Sequence, residues 1–348
     1  MYEDQLQKYC QQLKNSVHFL MCPAVYYEIV GPDPVYGYPN DMSAASYENF
    51  LNNREDFKRK AQIQWENFYK ILQNLGFPIT LLTPDSTLLD QTFTADASFS
   101  FVDQDKELTI ATKFSHWGRQ GEVQYHLEAL QRLYPHRPCI QGVFPSEGAG
   151  DNLYDVYRDV FFSGFSSQLN LHSLAAGRSD KRAHDMLAQV TGCRVISLEL
   201  ERPFFHIDTT LLPLNLGHLV VYPQGFKKSS YETLIQVAID DMHLARKDYL
   251  IEISREEALQ YACNSMTIGD LIIMPEVGER LPTLLKNLGY KVLTVDLSAF
   301  IAAGGGPHCL TNNIRTQRFA GGLMQHMKVK EPHIEMKKNE PMPWRYPQ

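Results

Sequence analysis

Between Arg54 and Leu75 the apolar residues Phe57, Ala61, Trp65, Phe68, Leu72 and Leu75 recur every three or four positions. That spacing predicts an amphipathic helix, closed by Gly76 and followed by a strand at Pro78–Leu82. The phrase returns near the other end of the chain. Leu72-Gln73-Asn74-Leu75-Gly76-Phe77 is echoed by Leu285-Lys286-Asn287-Leu288-Gly289-Tyr290, again helix, glycine, then strand at Lys291–Val295. Weaker versions of the unit span Val123–Val143, Ala183–Leu200 and Tyr231–Ile253. Further strands are predicted at His18–Ala24 with a continuation at Tyr26–Val30, and at Phe93–Val102, Leu108–Lys113, Asp159–Gly164, Thr209–Leu214, Leu219–Tyr222 and Gly269–Met274. Between the opening strand and the first helix, Gly31–Asp41 reads as a long irregular loop from its Pro, Gly and Asn content. A loop of that size in a compact domain is often functional. Five helix-then-strand units with strands between them predict an internally repeated α/β architecture. No linker divides it, so one domain is expected over residues 1–324. Residues 325–348 are rich in Lys, Glu and Pro without apolar periodicity, and read as a surface-bound or disordered tail.

Composition narrows the function classes. The 348 residues are 44% hydrophobic and 21% charged, values ordinary for a globular protein. A net charge of −7, with no basic stripe, argues against a nucleic-acid or acidic-membrane partner. No apolar run approaches the roughly 18 residues of a membrane span, and Glu3, Asp4, Lys8 and Lys14 interrupt any signal-peptide core. The six cysteines are irregularly spaced without a C-x-x-C pair, and the twelve histidines form no H-x-x-x-H pair. Neither a zinc site nor a disulfide framework is expected, and a reducing, cytoplasmic location is. No metal and no cofactor are expected.

The chemistry centres on Gly304-Gly305-Gly306-Pro307-His308-Cys309-Leu310-Thr311-Asn312. Three glycines allow backbone angles and close approaches that other residues resist, and the loop lacks the Gly-Lys-Ser/Thr ending of a phosphate cradle. By itself a cysteine beside a tight turn is more often an inert core residue. Four other stretches change that weighting. Asp90 and Asp96 bracket Gln91-Thr92-Phe93-Thr94-Ala95 and would share a face on a regular strand. Arg119-Gln120-Gly121-Glu122 precedes a helix, where a helix-start glutamate beside a solvated arginine is an equal reading. Glu147-Gly148-Ala149-Gly150-Asp151 is an acidic turn. Phe205-His206-Ile207-Asp208-Thr209-Thr210 opens an apolar run, and alternation would put His206 and Asp208 on one side. A Cys-His pair supplies a thiolate and a proton shuttle. Surrounding carboxylates would suppress the thiolate unless the substrate is a cation that neutralises them.

Glu147–Asp151, His206–Thr209 and Gly304–Thr311, in this order, resemble the motifs of the guanidino-group-modifying superfamily of arginine deiminases, arginine dihydrolases, dimethylarginine hydrolases and amidinotransferases. Phe93-Thr94-Ala95-Asp96 is similar to its F-T-x-D/N segment, and Cys263-Asn264-Ser265-Met266 to a C-N-A-V-like stretch. The likeness runs from about Met21 to Ile314. It implies a five-bladed α/β propeller (pentein) with pseudo-fivefold repeats and a cysteine-dependent hydrolase acting on the guanidino group of arginine or a relative through a thiouronium intermediate. It implies Cys309 as nucleophile, His206 as acid and then base, and Glu147 as its orienting partner. Asp96 and Asp208 would hold guanidinium nitrogens, Arg119 the substrate carboxylate, with Asp151 and Asp90 also around the substrate. Dihydrolase-like members usually carry Asn where this chain has Asp96, and His308 before the cysteine looks like the amidinotransferase branch. An amidinotransferase therefore stays open, while the completeness of Cys309, His206 and Glu147 argues against a binding protein that kept the fold. A small guanidine such as arginine is the implied partner, and homo-oligomerisation is undecided.

Overall fold

A computed structural model describes residue 6 and residues 10–103, 106–167, 177–240 and 249–318; the proposed tail lies outside them. The repeated pattern becomes five small sheets of one plan. In each, a first strand runs antiparallel to a middle strand, and a helix then leads to a third strand parallel to the middle one. Asn152–Asp155, Val160–Phe165 and Arg194–Glu199 show it, with helix Arg182–Thr191 before the third strand. Leu211–Pro213, Leu219–Val221 and Leu250–Glu252 repeat it, as do Met266–Ile268, Leu271–Pro275 and Lys291–Val295. Ser98–Asp103, Lys106–Ala111 and Cys139–Gln141 form another, with Thr316–Gln317 added at its edge. In the remaining sheet the first strand, Asn312–Asn313, arrives from the far end of the chain to pair with Phe19–Met21, which pairs in parallel with Ile79–Leu81.

The echoed phrases have a common physical cause. At the end of helix Arg54–Asn74, Gly76 takes φ +82°, its N–H reaches the Gln73 carbonyl, and the Phe77 N–H reaches the Leu72 carbonyl. At the end of helix Arg280–Asn287, Gly289 takes φ +97° and the same two bonds run from Gly289 to Lys286 and from Tyr290 to Leu285. Both are Schellman caps, which need a left-handed residue at the glycine position. Ala61, Trp65, Phe68 and Leu72 of helix Arg54–Asn74 bury in one cluster with Phe19 and Met21, and Leu281 and Leu285 of helix Arg280–Asn287 in another with Ile272 and Val292. Each such side chain contributes about 1.5–3 kcal/mol.

Three expectations need correction. Tyr26–Val30 is not a strand, because Tyr27 is consumed in the core: its hydroxyl donates to the Ala299 carbonyl and its ring stacks on Phe300 at 4.8 Å. Phe93–Asp96 is not the start of a strand; Thr94–Asp96 is a 3-10 turn and the strand begins at Ser98. Asp90 and Asp96 therefore do not share a strand face. His206 and Asp208 do not share one either, since Ile207–Thr209 is also a 3-10 turn. There the Thr209 and Thr210 hydroxyls donate to the His206 and Ile207 carbonyls, a local alternative to sheet pairing. Loop Gly31–Asp41 ends where Asn40 caps helix Asp41–Asn52, accepting from the Ser43 N–H while its amide donates to the Ala303 carbonyl. Among the described residues no helix is long and apolar enough to cross a membrane.

Candidate active site

Four of the chemistry-bearing stretches, together with Cys263–Ser265, occupy one equivalent place, and Arg119–Glu122 stands outside it. Thr94–Asp96 precedes the first strand of its sheet, Gly148–Asp151 precedes Asn152–Asp155, and Ile207–Thr209 precedes Leu211–Pro213. Cys263–Ser265 precedes Met266–Ile268, and Cys309–Thr311 precedes Asn312–Asn313. Repetition of the unit thus gathers residues far apart in sequence into one layer. The Ala95 N–H donates to the Cys309 carbonyl, tying two of these segments directly.

The glycines of the cysteine loop act by different means. Gly304 is left-handed at φ +97°, where a Cβ would also strike the Phe205 ring at 2.9 Å. At Gly305 a Cβ would come within 2.3 Å of the Phe93 ring. Asn264 then fixes the loop. Its side-chain carbonyl accepts from the Gly306 and Cys309 N–H groups at 2.8 and 3.2 Å, and its amide donates to Cys309 Sγ at 3.1 Å. The thiol, 2% exposed, points at Asp208 Oδ2 across 3.4 Å. Burial pushes the Cys309 pKa well above the usual thiol value, and the Asp208 and Asp96 charges push it further, against the Asn264 donor. His308 Nδ1 shares Asp208 Oδ2 at 2.8 Å.

His206 is organised by carboxylates. Its Nε2 bonds Glu147 Oε2 at 2.8 Å, and its Nδ1 stands 3.7 Å from Asp96 Oδ1, too far for a hydrogen bond. Burial would lower its pKa, but Asp96, Asp151 and Glu147 hold it up at about 9. Glu147 accepts from Ser115 at its other oxygen and lies 3.6 Å from Arg178. Against the raising effect of burial, Arg178 and His206 keep its carboxyl well below the usual range. Asp151 accepts from the Ser179 hydroxyl at 2.5 Å, and burial lifts its pKa to about 7. Gly150 makes room for the cluster: a Cβ there would lie 2.4 Å from Asp96 Oδ1 and 3.0 Å from His206 Nδ1. Asp90 is half-buried, with burial raising its pKa.

Arg119 departs from its expected role. Its Nε and Nη2 fork onto Glu122 at 2.8 Å each, Nη1 donates to Asp96 Oδ2 at 2.6 Å, and Nη2 also reaches the Phe93 carbonyl at 3.1 Å. At 7% exposure, the guanidinium is engaged as a strut under Asp96 rather than left open for a substrate carboxylate. Arg119→Ala would leave two buried carboxylates unpaired, a loss of about 3–5 kcal/mol. The melting temperature should fall, and KM should rise for arginine and agmatine alike. A rise confined to arginine, with unchanged melting, would return Arg119 to the substrate. Sequence reasoning did not single out Arg178 or the loop-fixing function of Asn264. Arg178 had no motif to mark it; Asn264 stood in the quoted Cys263–Met266 stretch without a role. Among the described residues no group of His, Cys, Asp and Glu is arranged to hold a metal ion.

No family model matches the chain. The bifunctional arginine dihydrolase/ornithine cyclodeaminase AgrE of Nostoc sp. is 29% identical over 300 residues, covering 86% of this chain and 38% of that protein. This chain therefore spans well under half the length of that relative. The N(G),N(G)-dimethylarginine dimethylaminohydrolase of Mycobacterium tuberculosis is 28% identical, covering 73% of this chain and 76% of that one. A crystal structure of an AgrE cysteine-to-alanine variant with L-arginine superposes with a TM-score of 0.69 at 27% identity, over 87% of this chain and 41% of that chain. In sequence and in its mixed α/β fold the chain is similar to these members of the guanidino-group-modifying superfamily.

Proposed function

We propose that the chain is a cysteine-dependent hydrolase of the guanidino group of arginine or a close relative, working through a thiouronium adduct on Cys309. The observation that carries this reading is a set of orphaned acceptors. Asp96 Oδ1, Asp151 Oδ1 and Asp208 Oδ1 are buried without a hydrogen-bond partner among the described residues. Buried acceptors of that kind are costly unless a ligand supplies donors. A guanidinium brings a planar fork of N–H groups and a positive charge. The charge would also favour the Cys309 thiolate, which in the free protein is disfavoured by burial and by two carboxylates.

In this mechanism the Cys309 sulfur attacks the guanidine carbon, and His206 protonates the leaving amine. His206 then takes a proton from water as its oxygen attacks the adduct, and the C–S electron pair returns to sulfur. Glu147 orients His206 through Nε2. Asp96 and Asp208 hold guanidinium N–H groups through their free Oδ1 atoms, Asp151 adds a third acceptor, and Arg119 supports Asp96. Asp90 borders the substrate. The five sheets are read as blades of a five-bladed α/β propeller formed by residues 1–324, with 325–348 as a tail; first strands from all five sheets border one cavity, which supports this plan. The chain is placed in the cytoplasm.

Incubation with arginine, with and without glycine as acceptor, tests the function. Ammonia with citrulline or ornithine is expected in both mixtures, together with a mass increment on Cys309. Product that forms only with glycine would make the chain an amidinotransferase. Asp96→Asn keeps shape but loses charge, and turns one acceptor into a donor facing an N–H. Loss of a charge-assisted bond of about 1.5–3 kcal/mol predicts a roughly ten- to hundredfold fall in kcat/KM. Citrulline, ornithine and ammonia are quantified together, because the outcome could instead be a shift of product toward ornithine. An unchanged rate and product ratio would remove Asp96 from the guanidinium clamp.

A further inference from the structure

We propose that His308 is a positioning residue for the nucleophile: it occupies Asp208 Oδ2 and so loosens that oxygen's hold on the Cys309 thiol proton. The proposal rests on the hydrolase reading above, in which Cys309, His206 and Glu147 have roles and His308 has none. Asp208 presents two oxygens with different surroundings. Oδ1 is buried without a partner among the described residues, whereas Oδ2 meets both His308 Nδ1 at 2.8 Å and the Cys309 thiol at 3.4 Å. An ionised carboxylate accepts and does not donate, so Nδ1 carries the proton in this contact. The length is that of a good N–H···O bond, and a thiol is the weaker donor of the two. The His308 side chain is 21% exposed and that of Asp208 is 1% exposed, so the ring reaches inward to a buried charge.

The main chain holds His308 in place for this contact. Its N–H donates to the Asn264 carbonyl at 3.1 Å, and its carbonyl accepts from the Thr311 N–H at 3.1 Å. Asn264 therefore fixes three residues of the loop, Gly306 and Cys309 through its side chain and His308 through its main chain. None of these bonds involves the imidazole, so replacing the ring leaves the course of the loop in place.

The two oxygens of Asp208 thus have separate tasks. A hydrogen bond from the thiol to a carboxylate favours the neutral S–H form. Burial, then Asp208 and Asp96, raise the Cys309 pKa, while the Asn264 amide favours the thiolate; Tyr261 is the other titratable group near the sulfur. The His308 N–H draws on the same Oδ2 lone pairs and partly offsets the charge that faces the sulfur. Oδ1 stays free for the guanidinium. Once that cation binds, the S–H bond breaks, its proton passes to water, and the electron pair left on sulfur attacks the guanidine carbon. Without the ring, the thiol is the only donor left to Oδ2 among the described residues, and its ionisation is harder.

His308→Ala and His308→Leu both remove the donor, the second while keeping bulk. His308→Asn keeps a donor in the same place, because Asn Nδ2, like His Nδ1, is bonded to Cγ. Rapid-quench mass spectrometry at pH 7 with saturating arginine follows adduct formation on Cys309. Arginine affinity is measured by calorimetry with each substitution placed in Cys309→Ser, where binding is not followed by reaction. Adduct formation should slow roughly tenfold in the Ala and Leu variants, equivalent to about 1.4 kcal/mol. Kd should stay at its Cys309→Ser value, and His308→Asn should recover most of the wild-type rate. A ring that merely packs would not be replaced by an amide. A wild-type rate in whichever of the Ala and Leu variants melts as wild type does would overturn the positioning role alone. So would an Asn variant as slow as they are, or a weakened Kd with an unchanged rate. Absence of adduct on the wild-type chain would overturn the hydrolase reading and the positioning role with it.

Discussion

Cys309→Ser should abolish turnover while leaving the fold in place. An alcohol is a far weaker acid than a thiol, and nothing in the site is positioned to compensate. Asp208 Oδ2 lies 3.4 Å from the sulfur, but its neighbours already include His308, and the surrounding carboxylates oppose formation of any anion there. The serine hydroxyl keeps the geometry: it can accept from the Asn264 amide and donate to Asp208, while the Asn264 bonds to the Gly306 and Cys309 N–H groups are backbone contacts that the substitution does not touch. Melting temperature should therefore stay close to wild type. Arginine should still bind, since the orphaned Asp96, Asp151 and Asp208 oxygens are unchanged. Ammonia release, thermal melting and intact mass after mixing with arginine check the three parts. Residual turnover above a few per cent of wild type would rule out a covalent path through Cys309.

Much of this site could be read from the sequence because repetition wrote it in similar phrases. Leu72–Phe77 and Leu285–Tyr290 announce the same cap, and the caps locate the helix-to-strand joints. Four of the five segments before a first strand were marked by their chemistry and Cys263–Met266 only by resemblance; the structure gathers Asp96, Glu147, Asp151, His206, Asp208 and Cys309 into one layer. What failed was local conformation. Period-two alternation assigned His206 and Asp208 to one strand face, but threonine hydroxyls bonding to carbonyls three residues back favour a 3-10 turn instead. The pairing of Arg119 was hidden for a different reason. A sequence shows which charges exist but not which of them are already paired, and Glu122 and Asp96 claim this guanidinium. The short first strands Asn152–Asp155 and Met266–Ile268 were missed because three or four residues carry too little pattern to stand out beside a turn.

His206→Ala should lower turnover by about 10²–10⁴-fold, the range for a positioned acid and base. The wild-type imidazole is charged across neutral pH, because Asp96, Asp151 and Glu147 outweigh burial and keep its pKa at about 9. It is thus ready to donate to the leaving amine, and its rate limb should fall as pH rises through about 9. That alkaline limb should disappear in His206→Ala, a change that mere loss of packing would not produce. The same shift affects stability with a definite sign. The folded pKa lies above the ordinary histidine value of about 6.5, so the protonated form contributes its full stabilisation below about pH 6.5, and the contribution is lost as pH rises through about 9. Replacing the ring leaves Glu147 and Asp96 without that cation, so the variant should melt lower than wild type at neutral pH and approach it above pH 9. If adduct decay needs His206 as base more than its formation needs it as acid, the alanine variant should hold a thiouronium mass on Cys309 for longer than wild type. A variant with the wild-type rate, an unaltered alkaline limb and no trapped mass would take His206 out of proton transfer altogether.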